Sequence, residues 1–209
     1  MVCDLGFLGN RYERLSLAWD GLCGRGKYPA FEVLARREVP RVDLEPWRGA
    51  NPEGHVLFIG QVEDDWAVKV ALHGQPYRGF MGEAIRQLRA AGERVTFRPH
   101  PASLFYAPPN VPRPGPLRKD LEGVKYAVTL NSTAAIDAIV IGVPCVVLDH
   151  GSMAYSMSAN DSKGLKARDL SEPSGRRQWA DRLASLCWSK TELADGSAWK
   201  IMKGALTHG

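Results

Sequence analysis

Three short stretches carry side chains able to do chemistry. Arg98-Pro99-His100-Pro101 sets an imidazole between two prolines. A proline restricts the residue before it to extended backbone, so this histidine sits on a stiff, non-helical segment. Held there, it can hydrogen-bond a phosphate or a sugar, or carry a proton. A purely structural histidine is the plainer alternative. Asn131-Ser132-Thr133 stands where an apolar run gives way to TAAIDAIVIG. Hydroxyls at a helix start cap free N–H groups. The same N–H groups and the helix dipole also attract phosphate. Asp20, between Trp19 and Gly21 in LAWDGLCGRGK, offers a carboxylate as a general base, or closes an Asx turn. Glu63, Asp64 and Asp65 form a second acidic cluster that could be a base, a metal site or a solvated turn.

The elements around these residues point to an α/β architecture. Apolar runs at 55–61, 94–100, 126–132 and 144–150 predict four buried strands. Between them, 80–91 has a helical stripe, TAAIDAIVIG reads as a helix starting near Thr133, and KDLEGVK predicts a short helix. Residues 175–188 predict an amphipathic helix and KTELADGSAWKIMKGAL a final one; 62–79 reads as a polar connector. Strands alternating with short helices imply a parallel sheet with right-handed crossovers, of about four to six strands. Ligands bind such sheets at the C-terminal strand ends. Those ends carry Gly60 and Gln61; Arg98 and His100; Asn131, Ser132 and Thr133; and Asp149 and His150. Seven of the fourteen prolines fall in 99–116, which excludes a helix or central strand there. The first 54 residues read as a loop-rich segment, and 55–209 as the sheet domain.

At 209 residues the chain is long enough to bury a core without staples. No apolar run approaches the ~20 residues of a membrane span, and the first residues lack the apolar core of a secretory signal. Cys3, Cys23, Cys145 and Cys187 lie far apart, which argues against a zinc site and against a disulfide scaffold. A cytoplasmic location is therefore expected. Neither a phosphate-binding GxxxxGK[ST] loop, a GxGxxG turn nor a GxSxG elbow is present, which disfavours kinases, dinucleotide enzymes and α/β-hydrolases. The net charge is +4, unevenly placed: residues 69–119 hold nine Lys/Arg against two acids. Such a block suggests a polyanionic partner, or else a solvated helix face.

Taken together, the R-P-H-P strand end, the run from Asn131 through Ser132, Thr133 and Asp137, and the turn Gly142-Val143-Pro144 resemble the donor-binding half of type B glycosyltransferases. The similarity is greatest to the capsule polysaccharide biosynthesis group and covers roughly residues 55–150. In that group a histidine-proline pair and a Ser/Thr-bearing helix start contact nucleotide-sugar phosphates. Asp137 stands where those proteins usually carry a glutamate. LAWDGLCGRGKY and the Trp188–Trp199 region resemble small phage and prophage proteins.

The resemblance implies a Rossmann-like domain that binds a nucleotide sugar, a UDP-sugar being the common case, with no metal or other cofactor required. Gly60, Gln61, Arg98, His100, Asn131, Ser132, Thr133 and Asp137 would line the donor site. Asp20 would deprotonate the acceptor, making residues 1–54 the acceptor or catalytic region. Type B enzymes have two such domains, so a dimer is plausible. The phage-like ends and the basic block point to double-stranded DNA carrying 5-hydroxymethylpyrimidines as acceptor, in a host cytoplasm. Trp19, Arg25, Lys27, Arg113, Arg118 and Lys119 would face it, and Phe105 and Tyr106 could support an extruded base. A capsular or surface saccharide is the alternative acceptor. A non-catalytic nucleotide- or DNA-binding protein is the alternative from another class.

Overall fold

The computed structural model describes residues 1–8, 11–35, 37–39, 41–49, 51–103, 115–159 and 169–206. In chain order the elements are β1 (Val2–Leu5), β2 (Arg14–Ala18), α1 (Phe31–Leu34), β3 (His55–Ile59), α2 (Trp66–Ala71), α3 (Tyr77–Ala90), β4 (Val95–Arg98), α4 (Leu117–Asp120), β5 (Val124–Thr129), α5 (Ala134–Val140), β6 (Cys145–Val147), α6 (Arg176–Ser185), β7 (Cys187–Ser189), α7 (Lys190–Ala194) and α8 (Ser197–Leu206). They form two compact units, Glu45–Ser174 and Met1–Leu44 with Gly175–Gly209.

The larger unit is a four-stranded parallel sheet in the order β4-β3-β5-β6, flanked by helices in a Rossmann-like α/β arrangement. Its strands are short apolar runs because both faces are covered. Val56, Phe58, Tyr126, Val128 and Val146 are buried together with Ala84 and Leu88 from α3. A second cluster joins Val68 and Leu72 to Tyr77 and Leu130. All four expected strands are present, but each stops short of the run's end: β3 at Ile59, β4 at Arg98, β5 at Thr129 and β6 at Val147. The residues just beyond leave the ladder to make side-chain bonds, described below. The stretch read as a polar connector contains a helix, α2, capped by Asp65, whose carboxylate accepts from Ala67 N at 2.8 Å. Its single turn and a half was too short to show a stripe.

Gly142 closes α5. Its φ is +82°, and its N–H and that of Val143 donate to Ile139 O and Ala138 O at 3.1 and 2.8 Å. This is the paired-bond glycine stop of a helix. A Cβ at Gly142 would run into Pro46 O, because residues 45–48 lie against the turn. Gly142→Ala is therefore expected to cost about 2 kcal/mol or more, from the left-handed conformation plus a forced backbone shift. Urea unfolding would check this; a change under about 0.5 kcal/mol, the range of an ordinary surface substitution, would show that the turn relaxes freely.

The smaller unit is an antiparallel sheet, β1-β2-β7, with helices. The expectation of a region without regular structure is corrected here: β1 and β2 pair, with Cys3 opposite Leu17. The helix expected over 175–188 ends at Ser185, and Cys187-Trp188-Ser189 pairs instead with Arg14-Leu15-Ser16. The pairing buries Trp188, at 1% exposure, and that burial outweighs helical propensity. Packing thereby groups the chain's end with its beginning. The final helix is two helices, parted at Asp195-Gly196, where φ of the glycine is +78°. Ser189 and Glu192 form a reciprocal capping box at the start of α7.

Candidate functional site

The strand order creates a crevice. From β3 the chain moves outward to β4, then returns across β3 to β5 and continues to β6. Connections from the adjacent strands β3 and β5 thus leave in opposite directions. Open parallel sheets bind ligands at such a switch point, outside the C-terminal strand ends. Gln61 stands two residues beyond β3 and Asn131 two residues beyond β5.

These two amides clasp each other. Gln61 Nε2 donates to Asn131 Oδ1 at 2.7 Å, and Asn131 N donates to Gln61 Oε1 at 3.0 Å. Thr129 Oγ1 donates to Ile59 O and Gln61 Oε1, while Gln61 N donates to Tyr77 Oη at 3.1 Å. Asn131 Nδ2 donates to Ala67 O and to Asp149 Oδ2, at 3.1 and 2.8 Å. Gln61, Asn131 and Asp149 are each only 7% exposed. The network ties the ends of β3, β5 and β6 and the start of α2 into one platform. Its amides are spent on the protein itself, so they position the loops rather than reach outward. Gly60 serves the same end: a Cβ there would come within 2.9 Å of the Phe97 ring. Tyr77 was not legible as a site residue, since an aromatic after a proline carries no signal of its own.

His100 lies just beyond β4, half-buried. Its Nδ1 accepts from Ala102 N at 3.1 Å, which leaves Nε2 as the protonated nitrogen of the neutral ring. Burial lowers its pKa; the Asp65 carboxylate opposes this and the Arg98 charge adds to it. Neutral His100 therefore offers one N–H donor. Unfolded chains take up a proton near the ordinary value of 6.5, whereas the folded ring resists. Its contribution to stability is complete above that pH and is lost as pH falls through the lowered folded value. An NMR titration of the His100 ring is expected to give a midpoint below 6.5; one at or above it would contradict this environment. Arg98, offered as a phosphate contact, is instead buried and turned to its own chain: it pairs with Asp120 and donates to Gly115 O at 2.7 Å.

At the start of α5, Ser132 Oγ accepts from Ala134 N at 3.2 Å, so the capping role is present. Thr133 holds the N-cap position without a side-chain cap bond. Asp137 lies one turn on, close enough to β6 to help push up the buried Cys145 thiol, after burial itself. In the acidic cluster, Asp65 is a helix cap and Asp64 pairs with Lys69 at 3.1 Å. Among the described residues, no group of three or more His, Cys, Asp or Glu is placed to hold a metal ion. No described helix is long and apolar enough to cross a membrane.

Asp20, Trp19, Arg25 and Lys27 belong to the smaller unit. Trp19 and Lys27 exchange backbone hydrogen bonds of 2.9 and 2.8 Å, closing the loop between them. Asp20, at φ +63°, pairs with Lys27 Nζ at 2.8 Å, both side chains being solvent-exposed. The hydrogen bond and charge of Lys27 hold the Asp20 carboxyl below its ordinary range. Trp19 Nε1 donates to Met202 O, and its ring lies 6.0 Å from that of Trp199.

Three of the nine cations of the basic block pair with acids outside its own span. Lys69 pairs with Asp64, Arg98 with Asp120 and Arg118 with Glu45, all acids beyond residues 69–119; Arg86 pairs with Glu83 inside it. Arg94 donates to Glu53 O. Lys119 is exposed on α4. Arg113, Phe105 and Tyr106 lie outside the described residues.

No family profile matches the chain, and no curated protein sequence matches it. Among solved structures, it is similar to KpsC of Thermosulfurimonas dismutans, a β-Kdo 2,7 transferase. The TM-score is 0.52 at 14% sequence identity, over 87% of this chain and 67% of that one. At that identity the likeness concerns the fold: a Rossmann-like α/β sheet that a glycosyltransferase also uses.

Proposed function

We propose that the protein is a glycosyltransferase that moves a sugar from a nucleotide sugar to a hydroxyl acceptor. The observation that carries this reading is the buried Gln61–Asn131–Asp149 network at the switch point, which ties together the strand ends from which the Ser132 helix start departs, with His100 at the end of the neighbouring strand β4. Support also comes from the fold shared with a β-Kdo 2,7 transferase. In this reading the His100 Nε2–H and the hydroxyls of Ser132 and Thr133 hold the diphosphate and meet the charge that develops on the leaving group. Asp137 stands on the same helix start, and Gly60, Gln61, Asn131 and Arg98 shape the floor. Asp20 is the carboxylate offered for the acceptor's proton; its pairing with Lys27 keeps it in the ionised, proton-accepting form.

The acceptor we favour is a saccharide hydroxyl. A transferase with a saccharide name shares the fold, and the internal pairing of Lys69, Arg86, Arg98 and Arg118 weakens the case for a DNA-facing surface. DNA bearing 5-hydroxymethylpyrimidines is the second reading, kept for the exposed Lys27 and Lys119 and the Trp19 ring. The test is to incubate the protein with a panel of nucleotide sugars, UDP-linked ones first. Acceptors would be oligosaccharides in one arm and duplex DNA, plain or hydroxymethylated, in the other, with products read by mass spectrometry. A sugar-sized mass gain on the oligosaccharide is expected. A gain on the modified base alone would move the acceptor to DNA. No gain in either arm, with no melting shift from any nucleotide sugar, would refute the transferase reading.

A further inference from the structure

The turn after β4 holds a side chain that nothing in the fold explains. Ser103 is 7% exposed, and its Oγ has no hydrogen-bond partner. It is the one buried side-chain polar atom so placed among the described residues. A buried hydroxyl left unmade costs free energy that an alanine would avoid. Such orphans call for a cause: an absent ligand, water or ion.

The surroundings narrow the cause. Ser103 N donates to His100 O at 2.9 Å, and Ala102 N donates to His100 Nδ1 at 3.1 Å. Both backbone donors of the turn are therefore spent on locking His100 in place. What remains is the His100 Nε2–H and the Ser103 hydroxyl, three residues apart in one turn. Arg98, next along the strand, is occupied by Asp120 and Gly115 O. Two neutral donors without a free carboxylate between them suit an oxyanion. Asp65 bears on His100 electrostatically from the start of α2 and is itself bonded to Ala67 N. Its charge disfavours a dianion and favours a phosphate bearing a single negative charge, as in the diphosphate diester of a nucleotide sugar.

We propose that Ser103 is a binding residue of the donor site, giving its hydroxyl to the same phosphate group that His100 Nε2–H holds. This rests on the nucleotide-sugar reading above. It also makes sense of an energetic oddity: the hydroxyl is unsatisfied in the free protein and satisfied in the complex, so the ligand gains what the fold forgoes.

The test is titration calorimetry of the full chain with UDP-glucose, GDP-mannose, ADP-glucose and inorganic pyrophosphate, alongside melting of the free protein. Wild type is expected to bind one nucleotide sugar, more tightly than pyrophosphate. Ser103→Ala is expected to weaken that binding about 10- to 100-fold, the effect of losing a hydrogen bond to a charged group. Its free form is expected to melt at the same temperature or higher. Should Ser103→Ala fold poorly, Ser103→Cys keeps the size with a weak donor and should lose affinity likewise. Wild-type binding retained in full by these variants would overturn the role of Ser103 alone. A lowered melting point with unchanged affinity would assign it a packing role instead. No nucleotide sugar bound by wild type would remove the donor-site reading, and this proposal with it.

Discussion

Asn131→Ala is expected to destabilise the larger unit by about 3–5 kcal/mol and to abolish detectable donor binding. The amide side chain makes three bonds: it accepts from Gln61 Nε2 and donates to Ala67 O and Asp149 Oδ2. Truncation withdraws all three partners at once inside a region where Gln61 and Asp149 are almost fully buried. Each buried group left without its partner costs about 1–3 kcal/mol, and networks fail together rather than piecemeal. The functional consequence follows from location. Asn131 ties the start of α2 and the ends of β3 and β6 to the end of β5, so its loss frees several crevice loops. Chemical denaturation and calorimetry would be read on the same preparation. Wild-type stability with lost binding would make Asn131 a direct ligand contact; loss of neither would show that the platform is held by other means.

The second large effect is expected in the smaller unit, at Arg37. Its side chain is 7% exposed, and it donates to Glu192 Oε1 from Nε and Nη2, at 3.0 and 2.6 Å. It also donates to Ser185 O and Cys187 O, and its guanidinium lies 3.6 Å over the Trp188 ring. One side chain thus fastens the end of α6, strand β7 and the capping box of α7. Arg37→Ala would leave the Glu192 carboxylate without its cation and two carbonyls without donors. Breaking a buried pair costs about 3–5 kcal/mol, and the partial exposure of Glu192 places this one near the lower end. Arg37→Lys is expected to recover little, because a single ammonium cannot span three acceptors or stack as a planar fork does. Thermal unfolding followed by circular dichroism checks this; an unchanged transition in Arg37→Ala would refute the fastening role. Acid should act in the same direction. Burial pushes the Glu192 carboxyl up, but the Ser189 amide, Arg37 and the Ser189 hydroxyl together hold it below its ordinary 4.5. That contribution is present above pH 4.5 and is lost as pH falls through the lowered folded value.

Much of the larger unit could be read from residue order alone. A buried parallel strand needs a run such as HVLFI, and a helix packed on one face needs the stripe of 80–91. Both signals are local, so they survive in a linear text. The polar residues beyond each run, Gln61, His100, Asn131 and Asp149, were legible for the same reason: a strand must end, and parallel folds place their sites there. Gly142 was legible as part of a turn into the next strand, while the left-handed conformation that stops α5 there came from the structure.

What those residues do with their hydrogen bonds is a different matter. Gln61 and Asn131 stand 70 positions apart, and only the return of the chain across β3 brings their side chains into hydrogen bonding. The pairing of Lys69, Arg98 and Arg118 depends on Asp64, Asp120 and Glu45, which any count confined to residues 69–119 leaves out. The smaller unit shows the same division sharply. Cys187-Trp188-Ser189 continues a helical pattern, yet it becomes a strand because Arg14-Leu15-Ser16 offers a free edge from the other end of the chain. Local sequence therefore determined which segments are apolar, where they stop and which polar groups wait at their ends. The tertiary structure decided which of those groups are consumed and that the nearby Ser103 hydroxyl is buried without a partner, because hydrogen-bond partners are chosen by distance in space and not along the chain.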